Sequence, residues 1–223
     1  MKDKIVITND GSYTIFNSSI NECYHSKHGA IVEAEHVFIK NGFSYKRKNS
    51  LNILEVGFGT GLNALLTYQK AEQRQIKVNY HAIELFPVKK EVYLKLNFTD
   101  LIGLKQEELL KLHNCKWDKE NKISTYFKLI KHHTSLEKYT TKNKFDIIYF
   151  DAFSPEKQPE LWNFNTFKKM RSFLKSDGFL TTYCAKGIVK RTMKEVGFDV
   201  LVLDGPPGKR QMTKCNKINL TNK

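Results

Sequence analysis

The chain has 223 residues, 40% of them hydrophobic, and its 37 Lys and Arg against 23 Asp and Glu give a formal net charge of +14. That length suits one domain with a substantial core, and the scattered charge is that of an ordinary soluble globular protein. No apolar run approaches the roughly 18 residues of a membrane helix, and Met1-Lys-Asp-Lys4 carries no signal-peptide apolar segment, so no membrane is expected and the cytoplasm is the predicted compartment. Cys23, Cys115, Cys184 and Cys215 lie far apart with no C-x-x-C pair, which points to neither a zinc site nor a disulfide framework. The positive charge suits a polyanionic partner. Only Arg47, Arg74, Arg171, Arg191 and Arg210 are arginines, however, and such a lysine excess also arises from genome composition, so the charge supports nucleic acid without establishing it.

Residues 1–49 read as an extension. Ile5–Thr8, the turn signal Asn9-Asp-Gly11 and Tyr13–Phe16 predict a β-hairpin. A polar stretch, Tyr24–Ala30, precedes a helical pattern over Ile31–Phe38. His25, His28, His36, Glu33 and Glu35 crowd this region, but their spacing is not that of a zincin helix, so a cofactor lid or substrate wall is expected rather than a metal site.

From Leu51 onwards strands and helices alternate, which predicts an α/β domain over residues 50–223 with a mostly parallel sheet. Its key stretch is Asn52-Ile-Leu-Glu-Val-Gly-Phe-Gly-Thr-Gly-Leu62: a short strand, a G-x-G-x-G turn at Gly57, Gly59 and Gly61, then a helix. Such a turn brings backbone N–H groups and a positive helix end against a ligand. A dinucleotide fingerprint would place its third glycine where Leu62 stands, and Glu55 precedes the first glycine, an acid suited to an ammonium. Both details favour S-adenosylmethionine over NAD. A second strand, Val78–Glu84, ends on an acid 23 positions past Gly61, where a nucleotide-binding sheet places the carboxylate for the ribose hydroxyls.

Helical patterns follow over Val88–Asn97 and Thr99–His113, with a connecting loop at Cys115–Asn121 and a third strand at Tyr126–Ile130. His132 and His133 are expected beyond that strand, either at an adenine-contacting rim or in an exposed basic loop. Ile147–Phe150 forms a buried-type strand ending at Asp151, and in a doubly wound sheet ligands lie beyond the strands' carboxyl ends. Asp151 and Phe153 are therefore expected to face the cofactor pocket, a carboxylate beside a ring being suited to amine chemistry. A turn at Gln158–Trp162, a helix over Asn165–Leu174, a strand at Gly178–Cys184, a basic helix at Lys186–Val196 and a strand at Phe198–Leu203 come next. The chain then reaches Gly205-Pro-Pro-Gly-Lys-Arg-Gln-Met212 and a last short strand. Lys209 and Arg210 there are read either as phosphate contacts or as plain surface charge.

These motifs together resemble a known family. Tyr24-His-Ser-Lys-His-Gly-Ala30, Glu55-Val-Gly-Phe-Gly-Thr-Gly-Leu-Asn63, Phe150-Asp-Ala-Phe-Ser-Pro-Glu-Lys-Gln-Pro-Glu-Leu-Trp162, Thr182-Tyr-Cys-Ala-Lys-Gly187 and Gly205–Met212 are similar to the tRNA 5-methylaminomethyl-2-thiouridine methyltransferases of the MnmD type, equivalent to the methyltransferase half of bifunctional MnmC. The resemblance implies a Rossmann-like class I S-adenosylmethionine-dependent methyltransferase with an N-terminal β-hairpin and helix extension on the cofactor and substrate side. It implies methylation of 5-aminomethyl-2-thiouridine at the wobble position of a tRNA anticodon stem-loop, with no obligate protein partner. Carried over residue by residue, it puts Glu55, Gly57, Gly59, Thr60, Gly61, Asn63, Glu84, Asp151 and Phe153 at the cofactor, Asp151 at the transfer site, and Tyr24, His28, Phe153, Lys186, Lys209 and Arg210 at the substrate. Lys190 and Arg191 join the expected RNA-docking set. No metal is expected, and no FAD either, the latter because the chain stops at Lys223 where MnmC continues into a flavin-dependent oxidase. Family members tend to carry an acid after the third strand, where this chain has His132 and His133.

Overall fold

A computed structural model describes residues 3–218. Three short strands come first: β1 (Lys4–Ile7), β2 (Tyr13–Asn17) and β3 (Glu22–Cys23) form a small antiparallel sheet in the order β1-β2-β3. The hairpin register pairs Ile7 with Tyr13, and Gly11 takes a left-handed φ of 81° in the connecting turn, the conformation that its lack of a Cβ permits. Helix α1 (Ala30–Ala34) runs on into a π-turn over Glu35–Lys40.

The main domain follows as β4 (Ser50–Val56), α2 (Leu62–Arg74), β5 (Lys77–Glu84), α3 (Lys90–Tyr93), α4 (Phe98–Ile102), α5 (Gln106–Asn114), β6 (Asn121–Lys122), β7 (Phe127–His133), β8 (Phe145–Phe150), α6 (Phe164–Phe173), β9 (Leu174–Thr182), α7 (Gly187–Glu195), β10 (Phe198–Asp204) and β11 (Gln211–Lys217). Eight strands lie in the order β10-β11-β9-β8-β4-β5-β7-β6. Strands β9, β8, β4, β5 and β7 are parallel, and the two edges add antiparallel partners. The chain winds from β4 through β5 to β7, then returns to build β8 on the other side of β4. That reversal opens a crevice at the carboxyl ends of β4 and β8, the ligand position of open α/β sheets.

Side-chain alternation explains why both faces of the sheet are covered. Ile53, Ile147 and Tyr149 point into the layer that contains α2 and its Leu65. Leu54, Val56, Ile148 and Phe150 point into the opposite layer, with Phe167 and Met170 of α6 and Met193 of α7. Central strands buried on both sides read as near-continuous apolar runs, which is how β4 and β8 looked in the sequence.

Three expectations are corrected. The helix expected over Thr99–His113 is two helices, α4 and α5, because Gly103 adopts φ +70° and caps the first. The helix expected over Val88–Asn97 shrinks to the single turn of α3. His132 and His133 are the last two residues of β7, not a rim beyond it: cross-strand pairing with Ile83 and Glu84 extends the strand past Ile130.

Candidate active site

The glycine turn leaves β4 at Val56 and enters α2 at Gly61. Gly57 has φ +89°, and a Cβ there would lie 2.7 Å from the Asp151 carbonyl oxygen. Only glycine lets the two strand ends β4 and β8 approach so closely. Gly59 has φ +49°, and a Cβ on it would press on the Tyr24 ring at 3.1 Å. At Gly57 and Gly59 the turn therefore presents bare backbone to a cavity of about 1070 Å³.

Strand ends supply the cavity's polar groups. Glu84 closes β5, and its carboxylate accepts the backbone N–H of Gly59 at 2.9 Å and of Phe86 at 2.8 Å. Burial pushes its pKa upward against those two hydrogen bonds. Each carboxylate oxygen retains a second lone pair, so hydroxyl groups of a ligand can still donate to it. Asp151 follows β8; it receives one N–H of the Asn63 carboxamide on Oδ2 at 2.8 Å, and Glu55 receives the other at 3.0 Å. Burial pushes the Asp151 carboxyl up to about 7, and the nearby Glu33 charge adds to the shift, while Asn63 and Lys209 oppose it.

Aromatic and charged walls rise around Asp151. The Tyr24 and Phe153 rings meet edge to face, 4.9 Å apart. The main chain of Phe153 is held on both sides: its N–H donates to Gln158 at 3.1 Å and its carbonyl accepts from the Trp162 indole at 2.8 Å. Glu22, from β3, accepts both the N–H and the hydroxyl of Ser154 at 3.1 Å, tying the small sheet to the loop after β8. Lys209 pairs with Glu33 of α1 and places its ammonium 3.9 Å over the Tyr183 ring. Glu33 also accepts the Ser26 N–H at 2.9 Å.

This cradle fits S-adenosylmethionine. The bare backbone at Gly57 and Gly59, the start of α2, the backbone-held acid at Glu84 and the buried Asn63 Oδ1, which lacks a hydrogen-bond partner, are features that a nucleoside carrying an amino-acid chain can satisfy. A family model for S-adenosyl-L-methionine-dependent methyltransferases matches residues 94–218. The chain belongs to that family.

The methyltransferase is 29% identical over 225 residues to the tRNA 5-methylaminomethyl-2-thiouridine biosynthesis bifunctional protein MnmC of Cupriavidus metallidurans, covering 93% of this chain and 33% of that protein. It is 31% identical to the MnmC of Cupriavidus necator, over 89% of this chain and 32% of the relative. The chain thus spans about a third of the length of these curated relatives. Among solved structures its fold is similar to MNMC2 from Aquifex aeolicus, with a TM-score of 0.78 at 22% identity over 96% of this chain and 69% of that one. Spermidine synthase from Thermotoga maritima shares the fold at a TM-score of 0.58 and 15% identity, over 97% and 72% of the two chains.

Of the residues expected from sequence, the cavity of the methyltransferase brings together Tyr24, Gly57, Gly59, Thr60, Asn63, Glu84, Asp151, Phe153 and Lys209. It does not bring in the others. Glu55 is wholly buried (0% exposed) behind Asn63, and Gly61 caps α2. His28 lies against Gly208 at the surface, Lys186 pairs with Glu156, and Arg210 is exposed. His132 stacks on His81 at 5.3 Å within the sheet, while His133 contacts the Leu85 carbonyl at 3.2 Å. The cavity wall on that side comes instead from Thr134–Glu137.

Sequence reasoning missed Glu22 and Tyr183 as members of this wall. Glu33 belongs to the polar group expected in a cofactor lid or substrate wall, and among the described residues no group of three His, Cys, Asp or Glu is placed to hold a metal ion. Among the same residues, no helix is long and apolar enough to cross a membrane.

Proposed function

We propose that this methyltransferase converts 5-aminomethyl-2-thiouridine to 5-methylaminomethyl-2-thiouridine at the wobble position of tRNA in the cytoplasm. The observation that carries the reading is the carboxyl of Asp151, anchored on one oxygen by Asn63 and lining the same cavity as the glycine cradle and the Tyr24–Phe153 pair. It is supported by the match of nearly the whole chain to part of the MnmC proteins.

When bound, S-adenosylmethionine supplies a methyl group activated by its sulfonium. The acceptor amine has a pKa near that of lysine, about 10, and is mostly protonated and non-nucleophilic at neutral pH. Asp151, poised near neutrality, takes one proton from the ammonium and orients the freed nitrogen lone pair toward the transfer site. The methylated product is again an ammonium, so no further proton need leave for transfer to complete. Tyr24 and Phe153 provide flat apolar walls on which the uracil ring can pack. Residues 1–49 act in this reading as an extension that walls the substrate side.

RNA phosphates are assigned to basic residues outside the cavity: exposed Lys186, Arg191 and Arg210 and half-buried Lys190. Lys209 is committed to Glu33 and stays within the wall. The deciding experiment incubates the protein with S-adenosylmethionine and tRNA carrying 5-aminomethyl-2-thiouridine, followed by mass spectrometry of the nucleosides. A methylated aminomethyl nucleoside is the expected product. Methylation of free amines with the tRNA left unmodified would overturn the assignment, as would cofactor binding without turnover.

A further inference from the structure

Glu55 occupies an unusual place for an acid. It is fully buried, and the strand register sets it beside Ala82 of β5 and Tyr149 of β8, with Tyr80 opposite Ile53 on the same face. Among the described residues, its one hydrogen bond is that on Oε1 from the Asn63 carboxamide, 3.0 Å long, while Oε2 is buried without a partner. The Tyr80 hydroxyl, also buried and unpaired, faces the same carboxyl.

An ionised carboxylate in such a place, with one N–H and the nearby Tyr80 hydroxyl for company and Asp151 as a neighbouring acid, is strongly disfavoured. Burial accordingly holds the Glu55 carboxyl well above the usual range, with the Asp151 charge adding to the rise and the Asn63 hydrogen bond and the Tyr80 hydroxyl opposing it. A carboxamide can sit either way round, and the two settings differ in what they present to Asp151. With Nδ2 toward both acids, each receives one N–H; turned over, Asn63 would aim its carbonyl at the Asp151 carboxylate and repel it.

We propose that Glu55 is a positioning residue, a buried acid that keeps its proton and pins the Asn63 carboxamide so that the second N–H holds Asp151 Oδ2, leaving Oδ1 free to take the proton of the acceptor amine. Its role in catalysis rests on the proton-accepting role of Asp151 given above. The groups that face Asp151 are Glu33 from α1, Lys209 from the turn between β10 and β11, Tyr183 after β9, and Asn63 with Glu55 behind it. Among these, Glu55 acts only through Asn63.

The test follows the Asp151 carboxyl by carbon-detected NMR titration in the cofactor-free protein, in wild type, Glu55→Gln and Glu55→Leu. Glutamine keeps an acceptor for Asn63, so the Asp151 midpoint should stay where it is. Leucine frees Asn63 to turn, and loss of a hydrogen bond to a charged group should raise the midpoint by about one pH unit. An unchanged midpoint in Glu55→Leu overturns the proposal. A lowered midpoint in Glu55→Gln also overturns it, since that is the response to removing an anion. Should Glu55→Leu fail to fold, infrared spectroscopy decides: wild type at neutral pH must show a protonated-carboxyl band that Glu55→Gln lacks, and absence of that band overturns the proposal. Because the titration needs neither cofactor nor RNA, its failure leaves the methyl-transfer reading untouched, and a negative tRNA assay leaves the titration standing.

Discussion

The Glu84 carboxylate accepts the backbone N–H of Gly59 at 2.9 Å, so the end of β5 and the glycine turn of β4 are joined through one side chain. The acid both shapes the turn and offers its remaining lone pairs to the cavity. Glu84→Ala should weaken S-adenosylmethionine binding by about 10- to 100-fold, the range expected for losing hydrogen bonds to a charged group. Isothermal titration calorimetry checks this, and an affinity equal to that of wild type would remove Glu84 from the cofactor site.

Asp151→Asn keeps the shape and the neighbour of Asp151 but cannot take a proton. Methyl transfer should fall by about 100-fold or more with cofactor affinity unchanged. In wild type, activity should rise with pH through about 7 as the carboxyl ionises, and a bound sulfonium would draw that limb to lower pH. A pH–rate profile of kcat/KM that is flat between pH 5.5 and 8 would show that another group takes the proton.

Gly57→Ala combines backbone strain at φ +89° with a Cβ 2.7 Å from the Asp151 carbonyl. Destabilisation of about 1–3 kcal/mol is expected in urea denaturation. Cofactor affinity should drop with it, because the turn can relax only by moving away from β8. Wild-type stability in this variant would mean that the two strand ends are not in contact.

Buried imidazoles should withdraw stability as pH falls from about 6.5 towards 4. Burial pushes His25, His81 and His113 down to about 4. In that window the unfolded chain binds protons at these three sites that the folded chain does not, so their contribution to stability rises with pH. Asp151, Glu55 and Glu84 work the other way, since burial raises their carboxyls and makes the folded state the better proton binder there. The histidine contribution is therefore read as a difference: the urea midpoint of His81→Phe should depend less steeply on rising pH between 5 and 7 than that of wild type. An equal dependence in the two proteins would contradict a neutral, buried His81.

Replacing both Lys190 and Arg191 by Ala should weaken tRNA binding and flatten its salt dependence, each lost phosphate contact reducing the log–log slope by roughly 0.7–0.9. Filter binding at several salt concentrations measures it. An unaltered slope would move the RNA to another face.

The sequence by itself determined the local grammar of the site. Positive-φ turns need glycine wherever they occur, and apolar runs between turn signals make buried parallel strands, so the cradle at Gly57–Gly61 and the acids at the ends of β5 and β8 were legible as short-range patterns. Phe153 was legible for a similar reason, because it follows Asp151 past the carboxyl end of a buried-type strand. Tertiary structure alone decided which side chains reach the cavity. Glu55 and Glu84 look alike as strand acids, yet one lies beneath Asn63 and the other faces the ligand space, a difference set by the helix packed over β4. Lys209 read equally as a phosphate contact or as surface charge beside Arg210 until Glu33, distant in sequence, came up against it. His132 and His133 lay past the visible strand pattern, but pairing with β5 drew them into the sheet. Burial and charge pairing are properties of neighbours brought together by the fold, and a linear pattern records only the neighbours along the chain.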